Sequence, residues 1–158
     1  MRALDAAKSA GAEYADLRIS QNRNQAIQTR EHRVQALNDS ETFGFGVRVL
    51  VRGAWGFAAS RDLSPDEMVR VAKQAVAQAQ ANRAALERPV VLAPVTPTAN
   101  GTWRSPVEID PFDVPVEEKV ALLLDANAAA LNVKGAKFVT SGMFFLREEK
   151  TLATSDGT

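Results

Sequence analysis

Phe43-Gly44-Phe45-Gly46-Val47-Arg48-Val49-Leu50-Val51-Arg52-Gly53-Ala54-Trp55-Gly56-Phe57-Ala58-Ala59-Ser60 is the stretch that decides the fold. Phe43, Phe45, Val47, Val49 and Val51 alternate with Gly44, Gly46, Arg48, Leu50 and Arg52. A period of two marks a half-buried strand, because successive side chains leave on opposite faces. Beyond Gly53, Trp55, Phe57 and Ala59 alternate with Gly56, Ala58 and Ser60. Two such runs around an Arg-Gly pair predict a β-hairpin. Read arm by arm, the aromatic and branched residues form one face, and Gly44, Gly46 and Gly56 lie on the other. Glycines inside strands mark a close approach by a neighbour, and a helix over all three is the expectation.

Upstream, Arg2 to Ala10 reads as a short Ala-rich helix with Gly11 at its C-terminal cap. Tyr14 to Ser20 alternates as a strand. Gln21 to Asn24 reads as a polar turn, and Ala26–Thr29 and Arg33–Leu37 as weaker strand pieces. Downstream, Ser64-Pro65-Asp66-Glu67 predicts a helix start, with Ser64 as cap and Glu67 completing a capping box. Apolar residues at helical spacing carry that helix to about Leu86. Prolines 89, 94, 97, 106, 111 and 115 break regular structure, so 88–114 reads as an extended connector, apolar enough to pack along the first half. A second long helix is predicted over 115–131, capped by Asp113 and buried through Val120, Leu123, Leu124 and Leu131. Val139–Leu146 reads as a strand, Arg147–Lys150 as a charged turn or solvated strand, Thr151–Thr154 as its partner, and Ser155-Asp156-Gly157 as a turn.

These elements define an α+β fold, an antiparallel β-sheet packed with two longer helices and one short N-terminal helix. The organisation read from sequence is a helix, sheet and helix unit over 1–87, the connector 88–114, and a second helix with strands over 115–158. A closing turn without a second arm makes the chain read as a fragment rather than a finished domain.

Lysine plus arginine and aspartate plus glutamate both total 19, so no overall basic charge favours nucleic acid. No apolar run reaches the length of a membrane span or of a signal-peptide core, and the expected location is the cytoplasm. Without cysteine, disulfides and thiolate metal sites are ruled out for these residues.

Few residues invite chemistry. His32 is the single histidine, and its neighbour Glu31 points to the opposite face in a strand, so the two cannot share one ion. Glu148 and Glu149 diverge for the same reason, whereas acid–base catalysis needs convergence. Ser141, Ser155 and Thr158 lack a neighbouring base. Gly44-Phe45-Gly46 continues into a strand rather than a helix, unlike a dinucleotide loop. No catalytic, cofactor-binding or metal-binding residue is assigned. The face bearing Arg48, Arg52 and Ser60 is the expected peptide or partner surface, where an edge strand could accept an extended peptide.

Four segments in this order resemble the TldD/PmbA family, also labelled modulators of DNA gyrase. Gly11-Ala12-Glu13-Tyr14-Ala15-Asp16-Leu17-Arg18 is similar to its opening strand. Gly44–Val49 with Gly53–Ala58 resembles its central hairpin, and Asp110-Pro111 with Glu117-Glu118-Lys119 its entry to the second helix. Ala153-Thr154-Ser155-Asp156-Gly157-Thr158 resembles its closing turn. The helix entry and the ending are nearer the TldD branch. The resemblance implies the N-terminal region of a zinc metallopeptidase acting on peptides or unfolded protein segments, contributing scaffold, cleft and dimer surface and inactive by itself. It implies a homo- or heterodimer with a TldD- or TldE-type subunit. The family's zinc is held by an H-E-x-x-x-H helix and a further cysteine, none of which has a counterpart here, so zinc is expected in a missing C-terminal domain. The alternative is a non-enzymatic interaction module, such as a stand-alone paralogue or a regulator of a peptidase subunit or of DNA gyrase.

Overall fold

A computed structural model describes residues 2–96 and 101–157. Pro97 of the connector and Thr158 of the closing turn lie outside them. The chain is α+β, with elements α1 (Arg2–Ser9), β1 (Tyr14–Arg30), β2 (Arg33–Val51), β3 (Ala54–Ser60), α2 (Pro65–Asn82), α3 (Val116–Leu131) and β4 (Thr140–Thr154). A single 3₁₀ turn, Arg83–Ala85, extends α2. The four strands form one antiparallel sheet in the order β3-β2-β1-β4. Among the described residues no helix is long and apolar enough to cross a membrane.

The backbone divides into two compact units. The first comprises Met1–Gln21, Phe43–Trp103 and Glu149–Thr158, and the second Asn22–Thr42 and Arg104–Glu148. Thus β1, β2 and β4 each contribute residues to both. No turn interrupts β1 at Gln21–Asn24, nor β4 at Arg147–Lys150. Gln21–Asn24 was expected to turn because it is polar, whereas Arg147–Lys150 takes the solvated-strand form of the two its sequence allowed. In a strand, however, alternate side chains can stay in solvent while the backbone keeps its ladder.

In the first unit the hairpin register corrects the arm-by-arm reading of its faces. Val51 pairs with Ala54, Val49 with Gly56, Val47 with Ala58 and Phe45 with Ser60, while Arg48 pairs with Phe57 and Leu50 with Trp55. The large residues of β2 therefore share a face with the small residues of β3, and Trp55 and Phe57 lie on the opposite face. Arg52 (φ 47°) and Gly53 (φ 77°) make the connection with both residues left-handed, the backbone that matches strand twist in a two-residue hairpin. Phe45, Val47, Val49 and Val51 form the core with Val71, Ala72, Ala75, Val76 and Ala79 of α2 and Ala3, Leu4 and Ala7 of α1.

A helix covers Gly56 alone of the three glycines expected beneath one. A Cβ there would lie 2.1 Å from the Ala75 carbonyl oxygen and 2.6 Å from the Ala79 amide nitrogen. Gly46 instead lies under the Phe57 ring, and Gly44 beside the Ser60 backbone. The start of the connector packs against the hairpin turn, where Pro89 lies beside Gly53 and the Val90 amide donates to the Gly53 carbonyl (2.9 Å). Val91, Val95 and Trp103 remain exposed, so the expected packing along the first half does not extend to them.

The predicted capping box does not form. Ser64 gives no side-chain cap, and its own amide donates to Asp62 Oδ1 (2.8 Å). Glu67 turns to Arg70, whose Nε donates to it at 2.6 Å, an interaction one helical turn away. Hydrogen bonds from Arg70 and Ser60 hold the Glu67 carboxyl down to about 2. Asp113 likewise does not cap α3. The N-cap is Pro115, and the Asp113 amide closes a turn onto the Asp110 carbonyl at 3.0 Å.

Two outcomes follow. Gly56→Ala should destabilise by about 3 kcal/mol, because the new methyl meets helix backbone rather than a movable side chain. Gly101→Ala, with nothing within 4 Å of the added carbon, should leave thermal unfolding unchanged. Glu67 has a depressed carboxyl in the fold, so its contribution is present above its unfolded value and is lost as pH falls through the folded one. Urea titrations should show Glu67→Gln removing part of the acid sensitivity between the ordinary value of 4.5 and about 2.

Candidate functional site

Arg48, Arg52 and Ser60 are not brought together. Arg48 lies beside the buried Asp16, donating from Nε to Oδ2 at 2.8 Å, and Arg18 Nε donates to Oδ1 at 3.1 Å. Asp16 is 1% exposed, so its charge is compensated by these two guanidinium groups. Arg48 also lies 4.6 Å from the centre of the Trp55 ring, which meets Tyr14 edge-on. Burial, with Asp16 and Asp156 adding, pushes the Tyr14 phenol up. Arg52 occupies the hairpin turn. Ser60 faces α2, away from Arg48, and its Oγ accepts from the Asp62 amide at 3.2 Å.

The second unit holds the more developed site, along a stripe of α3. Lys119, Leu123 and Asn127 are its buried residues, spaced four apart and hence on one face. Two of the three are polar. Asn127 is 0% exposed and donates to Thr29 Oγ1 (3.0 Å) and to the Glu31 carbonyl (2.9 Å), while Ser141 Oγ donates to its Oδ1 at 2.5 Å. Glu31 has a left-handed backbone, φ 54°, unfavourable by about 1–2 kcal/mol for a residue with a Cβ. Its amide donates to the Val139 carbonyl at 2.8 Å, so both its backbone groups are held.

Lys119 is 5% exposed, and its Nζ donates to Gln25 Oε1 at 2.5 Å and lies 4.9 Å from the Phe145 ring centre. Gln25 Nε2 donates to Asp39 Oδ2 (2.8 Å), which also receives Arg23 NH2 at 3.0 Å. Hydrogen bonds from Arg23 and Gln25 hold the Asp39 carboxyl below the usual range. Phe112 lies 4.8 Å from Arg23 and 4.9 Å from Arg147. Arg147 in turn pairs with Asp110, whose carboxyl is lowered by the Phe112 amide and by Arg147. Beside this network opens a groove of about 450 Å³. Ile109, Val114, Leu122, Met143 and Phe145 make its apolar walls, and Lys119 and Glu118 also line it. The sequence reading missed Lys119 and Asn127. Their signal was available as positions four residues either side of Leu123, where a buried stripe demands an apolar residue or a partner.

A zinc ion does not fit the residues present. His32 is exposed in the β1–β2 turn, Glu31 beside it is engaged with Arg30 (3.5 Å), and no group of three potential ligands converges among the described residues. Glu148 and Glu149 are consecutive in β4, both exposed and directed to opposite faces. Ser141 is bonded to Asn127, and Ser155 is tied to Ala15, whose amide donates to its Oγ at 3.0 Å. Thr158 lies outside the described residues.

Residues 15–79 match PmbA/TldA metallopeptidase domain 1, and residues 109–158 match the PmbA/TldA metallopeptidase central domain. The chain belongs to the TldD/PmbA family. It is 31% identical over 146 residues to a metalloprotease of Methanothermobacter thermautotrophicus, covering 92% of this chain and 30% of the relative. A candidate modulator of DNA gyrase from Bacteroides thetaiotaomicron shares the fold with TM-score 0.77 at 17% identity, over 99% of this chain and 36% of that one. TldE from Thermococcus kodakarensis does so with TM-score 0.67 at 13% identity, over 98% of this chain and 34% of that one. The chain thus spans about a third of the length of these proteins.

Asn127→Ala should lower stability by about 3 kcal/mol in chemical denaturation, since it strips partners from the buried Thr29 hydroxyl and the half-buried Ser141 hydroxyl and releases the Glu31 turn. A loss below about 1 kcal/mol would mean that water replaces the amide without penalty.

Proposed function

We propose that this chain is the scaffold, substrate-cleft and dimerisation region of a TldD/PmbA-type zinc metallopeptidase acting on peptides or unfolded protein segments. Its partner is a second copy or a TldD- or TldE-type subunit, its compartment is the cytoplasm, and it is inert by itself. The observation that carries this reading is the succession of two of the family's domains, the first and the central, along one chain whose metalloprotease relative is covered over 30% of its length. The donor set points the same way. One histidine and no cysteine cannot supply the three protein ligands of a catalytic zinc without an unusual carboxylate cluster. Catalytic zinc would then be held by residues outside these 158. The gyrase name belongs to structural neighbours whose 17% identity supports the fold alone.

The purified chain, incubated with unfolded protein and fluorogenic peptides with and without added zinc, should hydrolyse nothing above buffer. It should also retain far less than one zinc per chain after desalting. Hydrolysis abolished by a chelator would overturn the proposal.

A further inference from the structure

We propose that the groove lined by Lys119 takes the C-terminal residue of a peptide, with its α-carboxylate on the Lys119 ammonium and its side chain against the apolar walls. A buried ammonium is costly unless it is paired. Lys119 is 5% exposed, yet its ammonium donates to a neutral amide oxygen, Gln25 Oε1, and stands over the face of Phe145. No carboxylate of the described residues forms an ion pair with it. Asp39 acts on it only at longer range and is already occupied by Arg23 and Gln25. An ammonium has three donors, so two remain for a ligand.

The walls define what that ligand is. Ile109, Val114, Leu122, Met143 and Phe145 present hydrocarbon, and about 450 Å³ lies within the range of small-ligand sites, roughly 300–1,000 Å³. The neighbouring cations Arg23 and Arg147 are taken by Asp39 and Asp110, so Lys119 is the cation at this groove that they leave to a ligand. A monoanion matches it, and a dianion such as a phosphate ester would be left half-paired. Glu118, also on the lining, repels a second negative charge and offers an acceptor for an N–H group. A peptide end supplies such amides, and a simple alkanoate does not. The choice of a peptide also rests on the peptidase reading above.

Calorimetric titration of the chain tests this with three probes: N-acetyl-Ala-Ala-Leu, the same peptide as its C-terminal amide, and octanoate. The free acid should bind at least about tenfold more tightly than the amide, the ratio expected from one charge-assisted hydrogen bond. Lys119→Met should erase that ratio. Leu122→Glu, at a wall position 60% exposed and so compatible with folding, should weaken the acid while leaving thermal unfolding unchanged. Equal binding of acid and amide, binding of neither, full acid affinity in folded Lys119→Met or in Leu122→Glu, or octanoate binding as tightly as the peptide would each overturn the assignment. None of these readouts involves hydrolysis. A groove that ignores all three probes therefore leaves the peptidase reading in place, and chelator-sensitive hydrolysis by the chain defeats that reading whatever the groove binds.

Discussion

The contact between α2 and Gly56 of β3 is the constraint on which the first unit depends. The Ala75 carbonyl and the Ala79 amide occupy the space where a side chain would stand, so the helix rests on strand backbone. That approach explains the composition around it. Ala72, Ala75 and Ala79 are fully buried, and small residues are what a helix needs in order to lie this close. The hairpin register supplies the complement, because β2 brings Phe45, Val47, Val49 and Val51 to the face where β3 brings only Ala54, Gly56, Ala58 and Ser60. Bulk on one strand fills the room left by the other, and α2 is seated by both.

The second unit is organised differently. Its helix α3 buries Lys119 and Asn127 along with Leu123, and each of the two polar side chains is matched to a partner on β1. Asn127 satisfies a turn that no glycine relieves, since Glu31 carries the left-handed backbone itself. Lys119 is joined to Arg23 through Gln25 and Asp39. Hydrogen-bond geometry is directional in a way that hydrophobic burial is not, so this seam fixes the rotation of α3 about its axis more narrowly than an oily stripe would.

Much of the fold was legible in the sequence because period-two and period-3.6 patterns report burial directly. The hairpin around Arg52-Gly53, the short first helix ended by Gly11 (φ 100°), and the spans of α2 and α3 all follow from local spacing. What was not legible depended on relations between strands. The faces of the hairpin follow from its two-residue turn, which puts Val51 opposite Ala54 and so sends Trp55 to the other side. The length of β1 was hidden because Gln21–Asn24 looks like a turn until its neighbours are known, and that of β4 because Arg147–Lys150 reads equally as a charged turn or a solvated strand. The capping box at Ser64 failed because Asp62 takes the amide that Glu67 would have accepted, and Asp113 does not cap because Pro115 holds the cap position. The site was the least legible part. Nothing in the spacing of Gln25, Asp39, Lys119 and Phe145 announces that they meet.

The chain from Lys119 through Gln25 and Asp39 to Arg23 also limits how these positions can change. Each member is satisfied by the next, so a replacement at one strands a donor or acceptor at another, and the effects of paired replacements will not sum. Leu123, midway along the same stripe, is under no such tie and can be exchanged for another apolar residue of similar size. Within a single helical face, then, sequence drift has one position open to gradual exchange and two that move only in concert with residues about a hundred places away.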